Sequence, residues 1–319
     1  MSLIDRVAKK YGEGKDKGSL VERTVDKAAP EGGKTRAAKA EKPLALGAAR
    51  DASAAPAPDL PREPAKQSSE FVLDFARLRE NGFITPYNRR SRVSEEFRLI
   101  KRRLMQRMAL NREGGQVRAR GREHVILVTS ARPGEGKSFN AVNLALSIVL
   151  DEGFNVLLVD ADVARPSLSK QFNVQAPRGL TDLLGTNPPD MSDVLLRERN
   201  HPLSFLPAGT SVASATDLFG SPRMNALMDD IADRYTDRII IFDGPPLLAS
   251  TEPVVLAQHV GQIVFVVDSD RTSRSAVESA LDLLDRHDNV NLVLNKASAQ
   301  GNTDQFGSYY DAYTRGDAA

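Results

Sequence analysis

An α/β fold built on a doubly wound, mostly parallel sheet flanked by helices is predicted by two observations. Short runs of β-branched and aliphatic residues recur from His124 onward, at residues 125–128, 156–159, 203–206, 239–242, 263–267 and 292–294. Longer helix-forming segments separate several of them, at 138–150, 222–235 and 273–286. Each short run is almost continuously apolar, which is how strands covered on both faces read, whereas a half-solvated sheet would alternate. Strand and helix in alternation imply right-handed crossovers, and such a sheet collects ligands at the carboxyl ends of its strands.

The remaining chain is organised around that region. A chain of 319 residues with 41% hydrophobic content can bury one substantial core. From Gly12 to about Glu70 the composition is rich in Ala, Pro, Lys and Glu with few large apolar residues, too few to offset the entropy of ordering. Residues 1–84 are therefore expected to form a largely disordered leader, 85–298 the folded domain and 299–319 a flexible tail. Within the domain, residues 94–111 carry Phe97, Ile100, Leu104 and Met108 at helical spacing, with an arginine-dense opposite face.

Composition also excludes several classes of function. There is no cysteine, hence no disulfide framework, thiolate metal site or thiol nucleophile. A formal net charge of +1 argues against a whole-molecule nucleic-acid binder. No apolar stretch approaches the roughly 20 residues that span a bilayer, and no apolar secretory segment opens the chain, so a cytoplasmic location without a transmembrane segment is expected.

The strongest local motif is Ser130-Ala131-Arg132-Pro133-Gly134-Glu135-Gly136-Lys137-Ser138, placed between a strand and a helix. Gly134 and Gly136 allow backbone N–H groups to approach phosphate oxygens, and the following helix adds the positive end of its dipole. Lys137 suits β and γ phosphate oxygens, and the Ser138 hydroxyl suits Mg²⁺. Ala131 stands where the usual loop spelling has its first glycine, and a small side chain should still fit. The cofactors expected are ATP and Mg²⁺, with Arg132, Pro133, Gly134, Glu135, Gly136, Lys137, Ser138 and Phe139 as the binding stretch. This is the loop of a P-loop NTPase.

Two more strands end in acids, one at Asp160-Ala161-Asp162 and one at Asp243-Gly244-Pro245-Pro246. In a parallel sheet these carboxylates emerge on the edge that carries the phosphate loop, where they can hold Mg²⁺ directly or through its waters. Ser138, Asp162 and Asp243 are the expected metal ligands. Asp160 or Asp162 would orient or deprotonate an incoming hydroxyl, with Lys137 as the third catalytic residue. Asp182 and Asp217, by contrast, read as helix-cap or turn residues. Asn295, at the end of the last strand, is expected either to contact a base or to form a turn. The histidines are scattered and no zinc spacing occurs.

With these residues in view, the chain resembles the bacterial tyrosine kinases of exopolysaccharide biosynthesis, the BY-kinases, from about Ser94 to its C-terminus. Pro133 to Ser138 resembles that family's Walker A motif. Val159-Asp160-Ala161-Asp162 with Arg165-Pro166 resembles its Walker A′, and Phe242-Asp243-Gly244-Pro245-Pro246 its Walker B. Gly179-Leu180-Thr181-Asp182-Leu183-Leu184 and Leu206-Pro207-Ala208-Gly209 match further characteristic stretches. Ala164 replaces a frequent arginine, and Phe139 a frequent threonine. Within the family the spelling is most similar to the branch found with exosortase and PEP-CTERM loci.

The resemblance implies an ATP-dependent tyrosine autokinase. Asp160 would be its base, and Tyr309, Tyr310 and Tyr313 the acceptors. Glu95, Arg98 and Lys101 are similar to the family's E-x-x-R-x-x-R helix, through which subunits form rings; lysine replaces the last arginine here and loses its planar fork. It further implies a membrane polysaccharide co-polymerase as activating partner, with peripheral attachment to the inner membrane through it. The alternative is a ParA/MinD-like positioning ATPase without kinase activity. Such proteins typically carry lysine at the second loop position, where this chain has Arg132. A third class is an ATP-binding regulator of polysaccharide assembly without enzymatic activity.

Overall fold

Central strands made of Val, Ile and Leu leave no face for solvent, and their burial organises the whole domain. The computed structural model describes residues 69–108, 110–113, 116–119, 122–151, 154–212, 215–235, 237–284 and 287–297. The eight-stranded sheet contains β1 (Ser69–Phe71), β4 (Val125–Ser130), β5 (Asn155–Asp160), β6 (Leu196–Glu198), β7 (Leu203–Leu206), β8 (Arg238–Asp243), β9 (Gln262–Asp268) and β10 (Val290–Asn295). Their order is β1-β6-β7-β5-β8-β4-β9-β10. Every residue of β4 and β9 is buried, as is all of β5 except Asn155.

All pairings in the sheet are parallel except β6 with β7. The reason is local. Residues 199–202 between those two strands are too few for a crossover, so the chain can only return antiparallel. The remaining connections leave the carboxyl ends of β4, β5, β7, β8 and β9 on one edge.

The longer helices lie where periodicity predicts them. They are α2 (Arg92–Arg107), α3 (Lys137–Asp151), α8 (Pro222–Arg234) and α10 (Arg274–Asp282); shorter ones are α1 (Phe75–Glu80), α4 (Leu168–Phe172), α5 (Leu180–Leu183), α6 (Met191–Val194), α7 (Ala215–Phe219) and α9 (Glu252–Ala257). Helix α2 packs on α3. Serine hydroxyls cap α2, α8 and α10: Ser91, Ser221 and Ser273 each accept a backbone N–H from the first turn.

Three expectations need correction. The folded region begins before residue 85: β1 pairs with β6, and Phe71 packs on Phe172 and Phe205 with ring centroids 5.9 and 6.4 Å away. Leu73, Leu78, Phe83 and Ile84 are also buried. Glu198, itself buried, accepts from Leu73 N at 3.3 Å and so ties the exit of β1 to β6. Second, the helix expected over 94–111 stops at Arg107, because β2 (Leu110–Glu113) turns back onto β3 (Gln116–Ala119) as a separate antiparallel pair. Third, Lys101 is not a surface residue. It shares the buried stripe of α2 with Ser94, Phe97 and Leu104, and only 4% of it is exposed. The expected tail tyrosines Tyr309, Tyr310 and Tyr313, and most of the leader, lie outside the described residues.

Candidate nucleotide and metal site

The loop between β4 and α3 has the conformation its sequence demands. Gly134 and Gly136 adopt φ of 84° and 99°, the left-handed region that side chains avoid. A Cβ on Gly136 would collide with the Asn295 carboxamide. Ala131 is fully buried, so a small residue does fit at the first loop position. The loop is further stapled from within: Glu135, only 2% exposed, accepts from Arg132 N at 2.6 Å and from the Thr272 hydroxyl. Glu135 therefore shapes the loop from behind, while Arg132 and Pro133 are exposed at its tip.

Strand register brings the acids together. Asp160 at the end of β5 is the direct partner of Asp243 at the end of β8, and Asp243 in turn lies opposite Val128 of β4. Asp160 and Asp243 are both fully buried. Asp160 Oδ2 accepts from Ser167 N at 3.1 Å and Leu168 N at 3.0 Å, but its Oδ1 has no hydrogen-bond partner. Neither oxygen of Asp243 makes a hydrogen bond of normal geometry; the neighbouring Ser138 hydroxyl instead meets the Ser167 hydroxyl at 3.1 Å.

Two buried carboxylates side by side resist ionisation. Burial pushes Asp243 up to about 8, with Asp160 adding to the rise and Lys137 opposing it. Burial likewise raises Asp160 to about 7, against the lowering effect of the Leu168 and Ser167 N–H groups. Lys137 Nζ lies 3.6 Å from Asp162 Oδ2, and Asp162 Oδ1 accepts from Arg165 N at 3.2 Å. Lys137, Ser138, Asp160, Asp162 and Asp243 thus form one constellation on the sheet edge.

These residues fit a magnesium ion. Orphaned carboxylate oxygens beside a hydroxyl and next to a phosphate loop are an oxygen donor set for a hard cation. Among the described residues no group of three or more His, Asp or Glu side chains could enclose a metal alone. Magnesium commonly takes one or two carboxylates and completes its shell with phosphate oxygens, water and a hydroxyl such as that of Ser138.

Other expected residues fall differently. The Phe139 ring packs on Phe83, 5.2 Å between centroids, so its side chain faces the protein and only its backbone belongs to the loop. The Asn295 carboxamide donates from Nδ2 to Glu135 O at 2.8 Å, a contact with the loop itself. Arg98 pairs with Glu95 within α2 and donates to Arg89 O at 3.0 Å. Ser167 and Thr272 were not singled out by sequence. A serine after Arg165-Pro166 and just ahead of α4 is the one signal for Ser167; Thr272 has no local signature. A cleft of about 730 Å³ lies at the β1–β6 edge, lined by Phe71, Val174, Arg178 and Leu196, well apart from this chemistry.

Comparison with known proteins agrees with the geometry. The family model of the ParA group, described as NUBPL iron-transfer P-loop NTPases, matches residues 121–293, more than half of the chain. EpsB of Ralstonia solanacearum is 31% identical over 193 residues, which is 60% of this chain but 25% of EpsB, so the chain spans about a quarter of that relative. The tyrosine-protein kinase CpsD of Streptococcus agalactiae is 30% identical over 182 residues, 56% of this chain and 78% of CpsD. The crystal structure of the VpsO kinase domain superposes with a TM-score of 0.50 at 30% identity, covering 55% of this chain and 85% of that domain. With the loop, the paired acids and these similarities together, the chain belongs to the ParA-type P-loop NTPases and, among them, to the bacterial tyrosine-protein kinase family.

Proposed function

We propose that this chain transfers the γ-phosphoryl group of MgATP to protein tyrosines, including Tyr309, Tyr310 and Tyr313 of its own C-terminal segment. The observation that carries the reading is the pairing of Asp160 with Asp243 at adjacent strand ends, each with an unsatisfied oxygen, beside Lys137 and Ser138. Similarity to CpsD, a tyrosine-protein kinase by name, supports the choice of acceptor.

Each residue then has a role set by its position. The N–H groups of the loop and the Lys137 ammonium hold the phosphates and place the γ-phosphorus. Ser138 and Asp243 would hold the metal, with Asp162 completing the set from its place beside Lys137. The ion, when bound, neutralises charge on the β and γ oxygens. Asp160 has Oδ1 free while Oδ2 is fixed by two backbone N–H groups, so its orientation is set before the acceptor arrives. It takes the tyrosine proton at Oδ1 as the phenolic oxygen bonds to phosphorus and the ADP oxygen departs. A carboxyl raised to about 7 by burial is a base matched to neutral pH.

The setting follows from the same reading. The chain acts at the cytoplasmic face, activated by the cytoplasmic segment of a membrane polysaccharide co-polymerase, and regulates exopolysaccharide assembly. Among the described residues no helix is long and apolar enough to cross a membrane. Subunits associate through the Glu95 and Arg98 face of α2, with Lys101 inside the protomer.

Purified chain incubated with Mg²⁺ and γ-labelled ATP should acquire phosphotyrosine, and Lys137→Met should remove it. ATP hydrolysis without phosphotyrosine, on the chain or on tyrosine peptides, would favour a ParA/MinD-like positioning ATPase instead. Truncation after Lys296 should abolish self-labelling while leaving ATP affinity intact; unchanged labelling would move the acceptors elsewhere.

A further inference from the structure

An anion-binding loop works only if its N–H groups face the ligand, and each such N–H shares a peptide group with a carbonyl that must then find a donor elsewhere. In this loop successive carbonyls do. Gly136 O accepts from Asn140 N at 3.0 Å and Asn140 Nδ2 at 2.9 Å. Glu135 O accepts from Asn295 Nδ2 at 2.8 Å. Gly134 O accepts from Lys296 Nζ at 2.7 Å, and it alone of these receives a full positive charge.

The same ammonium lies 2.8 Å from Asp268 Oδ2. Asp268 ends β9 and is the register partner of Asn295, while Ser269 N donates to Asn295 O at 3.0 Å, so the ends of β9 and β10 are fixed to each other. Lys296 itself adopts φ of 59°, a left-handed conformation unusual for a residue with a Cβ. Backbone of that kind persists where surrounding contacts require it. A surface ion pair on its own would contribute little, and Lys296 is 43% exposed at the side chain. The bond to Gly134 O distinguishes this pair, because it reaches into the phosphate loop.

We infer that Lys296, braced by Asp268, is a positioning residue for nucleotide phosphate binding. Its ammonium holds the Gly134 carbonyl away from the anion and polarises that peptide, which strengthens the Glu135 N–H as a donor toward phosphate. Asn295 does the same, without charge, for the next peptide. The residue acts through the loop and needs no contact with the nucleotide. The inference rests on the loop being the nucleotide site; it is independent of whether the acceptor is tyrosine.

The test is calorimetric titration of the full chain with MgADP and with ATP and Mg²⁺, for the unaltered protein, Lys296→Met and Lys296→Arg. Loss of one charge-assisted bond predicts affinity weakened by ~10-fold in Lys296→Met and largely recovered in Lys296→Arg. In turnover the same variant should raise the KM for ATP by a similar factor with kcat within about threefold. The thermal midpoint without nucleotide reports folding. Should Lys296→Met not fold, the near-isosteric Asp268→Asn removes the brace and should weaken binding several-fold. Nucleotide affinity within twofold of the unaltered protein in a folded variant overturns the inference, as does Lys296→Arg binding no better than Lys296→Met. Because binding is read directly, these outcomes are separate from a failure to detect phosphotyrosine.

Discussion

Asp182 and Asp243 both lie by the carboxyl ends of strands, yet their surroundings are opposite. Asp182 accepts from Gly179 N at 2.8 Å, from Thr210 N at 3.1 Å and from the Thr210 hydroxyl at 2.8 Å. It clasps the start of α5 to the stretch after β7, where Leu180 N and Thr181 N also donate to Pro207 O and Ala208 O. Partial burial pushes its carboxyl up, but the bonds from Thr210 and Gly179 outweigh it and leave the pKa below the usual value. Asp243 is fully buried, accepts no well-formed hydrogen bond and is raised to about 8. A carboxylate whose bonds are all made by the fold serves the fold. One that the fold leaves unsatisfied, beside another of its kind, is waiting for a ligand.

The comparison breaks most visibly under direct substitution of the site. Asp243→Ala and Lys137→Met should each weaken Mg²⁺-dependent ATP binding or turnover by ~100-fold or more, the range seen when a charged group that meets a reacting phosphate is removed. Titration with nucleotide at fixed Mg²⁺ checks it; a change of only a few-fold at Asp243 would put the metal elsewhere.

Asp182→Ala should do the reverse. Removing the clasp strands the buried Gly179 N–H and costs about 1–3 kcal/mol of stability, while nucleotide affinity in the folded protein stays within about threefold. Urea unfolding and calorimetric titration on the same preparation separate the two effects. A large affinity loss with unchanged stability would make Asp182 a ligand-contacting residue and erase the contrast.

The pH dependence of stability sharpens it further. Asp160 and Asp243 have folded pKa values near 7 and 8, above an unfolded value near 4, so between these limits the native state holds more protons than the unfolded chain. Their contribution is fully present below the unfolded value and is lost as pH rises through 7 and 8. Ligand-free protein should therefore become less stable from pH 6 to pH 8.5, by at most ~1.4 kcal/mol per pH unit for each group. Asp243→Asn should flatten that slope and raise the thermal midpoint at pH 8. An unchanged slope would mean that Asp243 does not titrate in this range.

Much of this contrast could be read from residues alone, for identifiable reasons. Short apolar runs marked β4, β5, β7, β8, β9 and β10, and because parallel strands share an edge, Asp160 and Asp162 at the end of β5 and Asp243 at the end of β8 had to meet there. Gly134, Gly136, Lys137 and Ser138 form a contiguous motif whose spelling carries its geometry. What escaped was short, polar or nonlocal. Ser69–Phe71, at the edge of the sheet, and Leu196–Glu198 beside it are three-residue strands with charged members, below the length at which periodicity speaks. Leu110–Glu113 continues a helical pattern and becomes a strand only because its partner lies a few residues on. Thr272 reaches Glu135 from 137 positions away, and Lys296 reaches Gly134 from 162, contacts that no window on the sequence contains. Lys101 misled because a charged residue directly before Arg102 and Arg103 reads as surface, whereas Phe97 and Leu104 place it on the stripe facing the core.

That misplacement leads to the smallest expected effect. Glu95 and Arg98 form an intrahelical pair, both about one-third exposed, and Arg98 also holds the Arg89 carbonyl. If the pair serves only α2, Glu95→Gln should change stability by no more than ~0.5 kcal/mol, independent of protein concentration. If the same face joins subunits, the substitution should leave the monomer as stable as before but shift the mass measured by light scattering toward monomer at micromolar concentration. The two outcomes part cleanly because a buried Lys101 cannot compensate across an interface: association through this face of α2 would have to use Glu95, Arg98 and the exposed Leu99 beside them. A mass unchanged from the unaltered chain in both Glu95→Gln and Arg98→Ala would assign this face to the fold, as Asp182 is assigned, and leave the paired acids at the strand ends as the part of the molecule built for a partner.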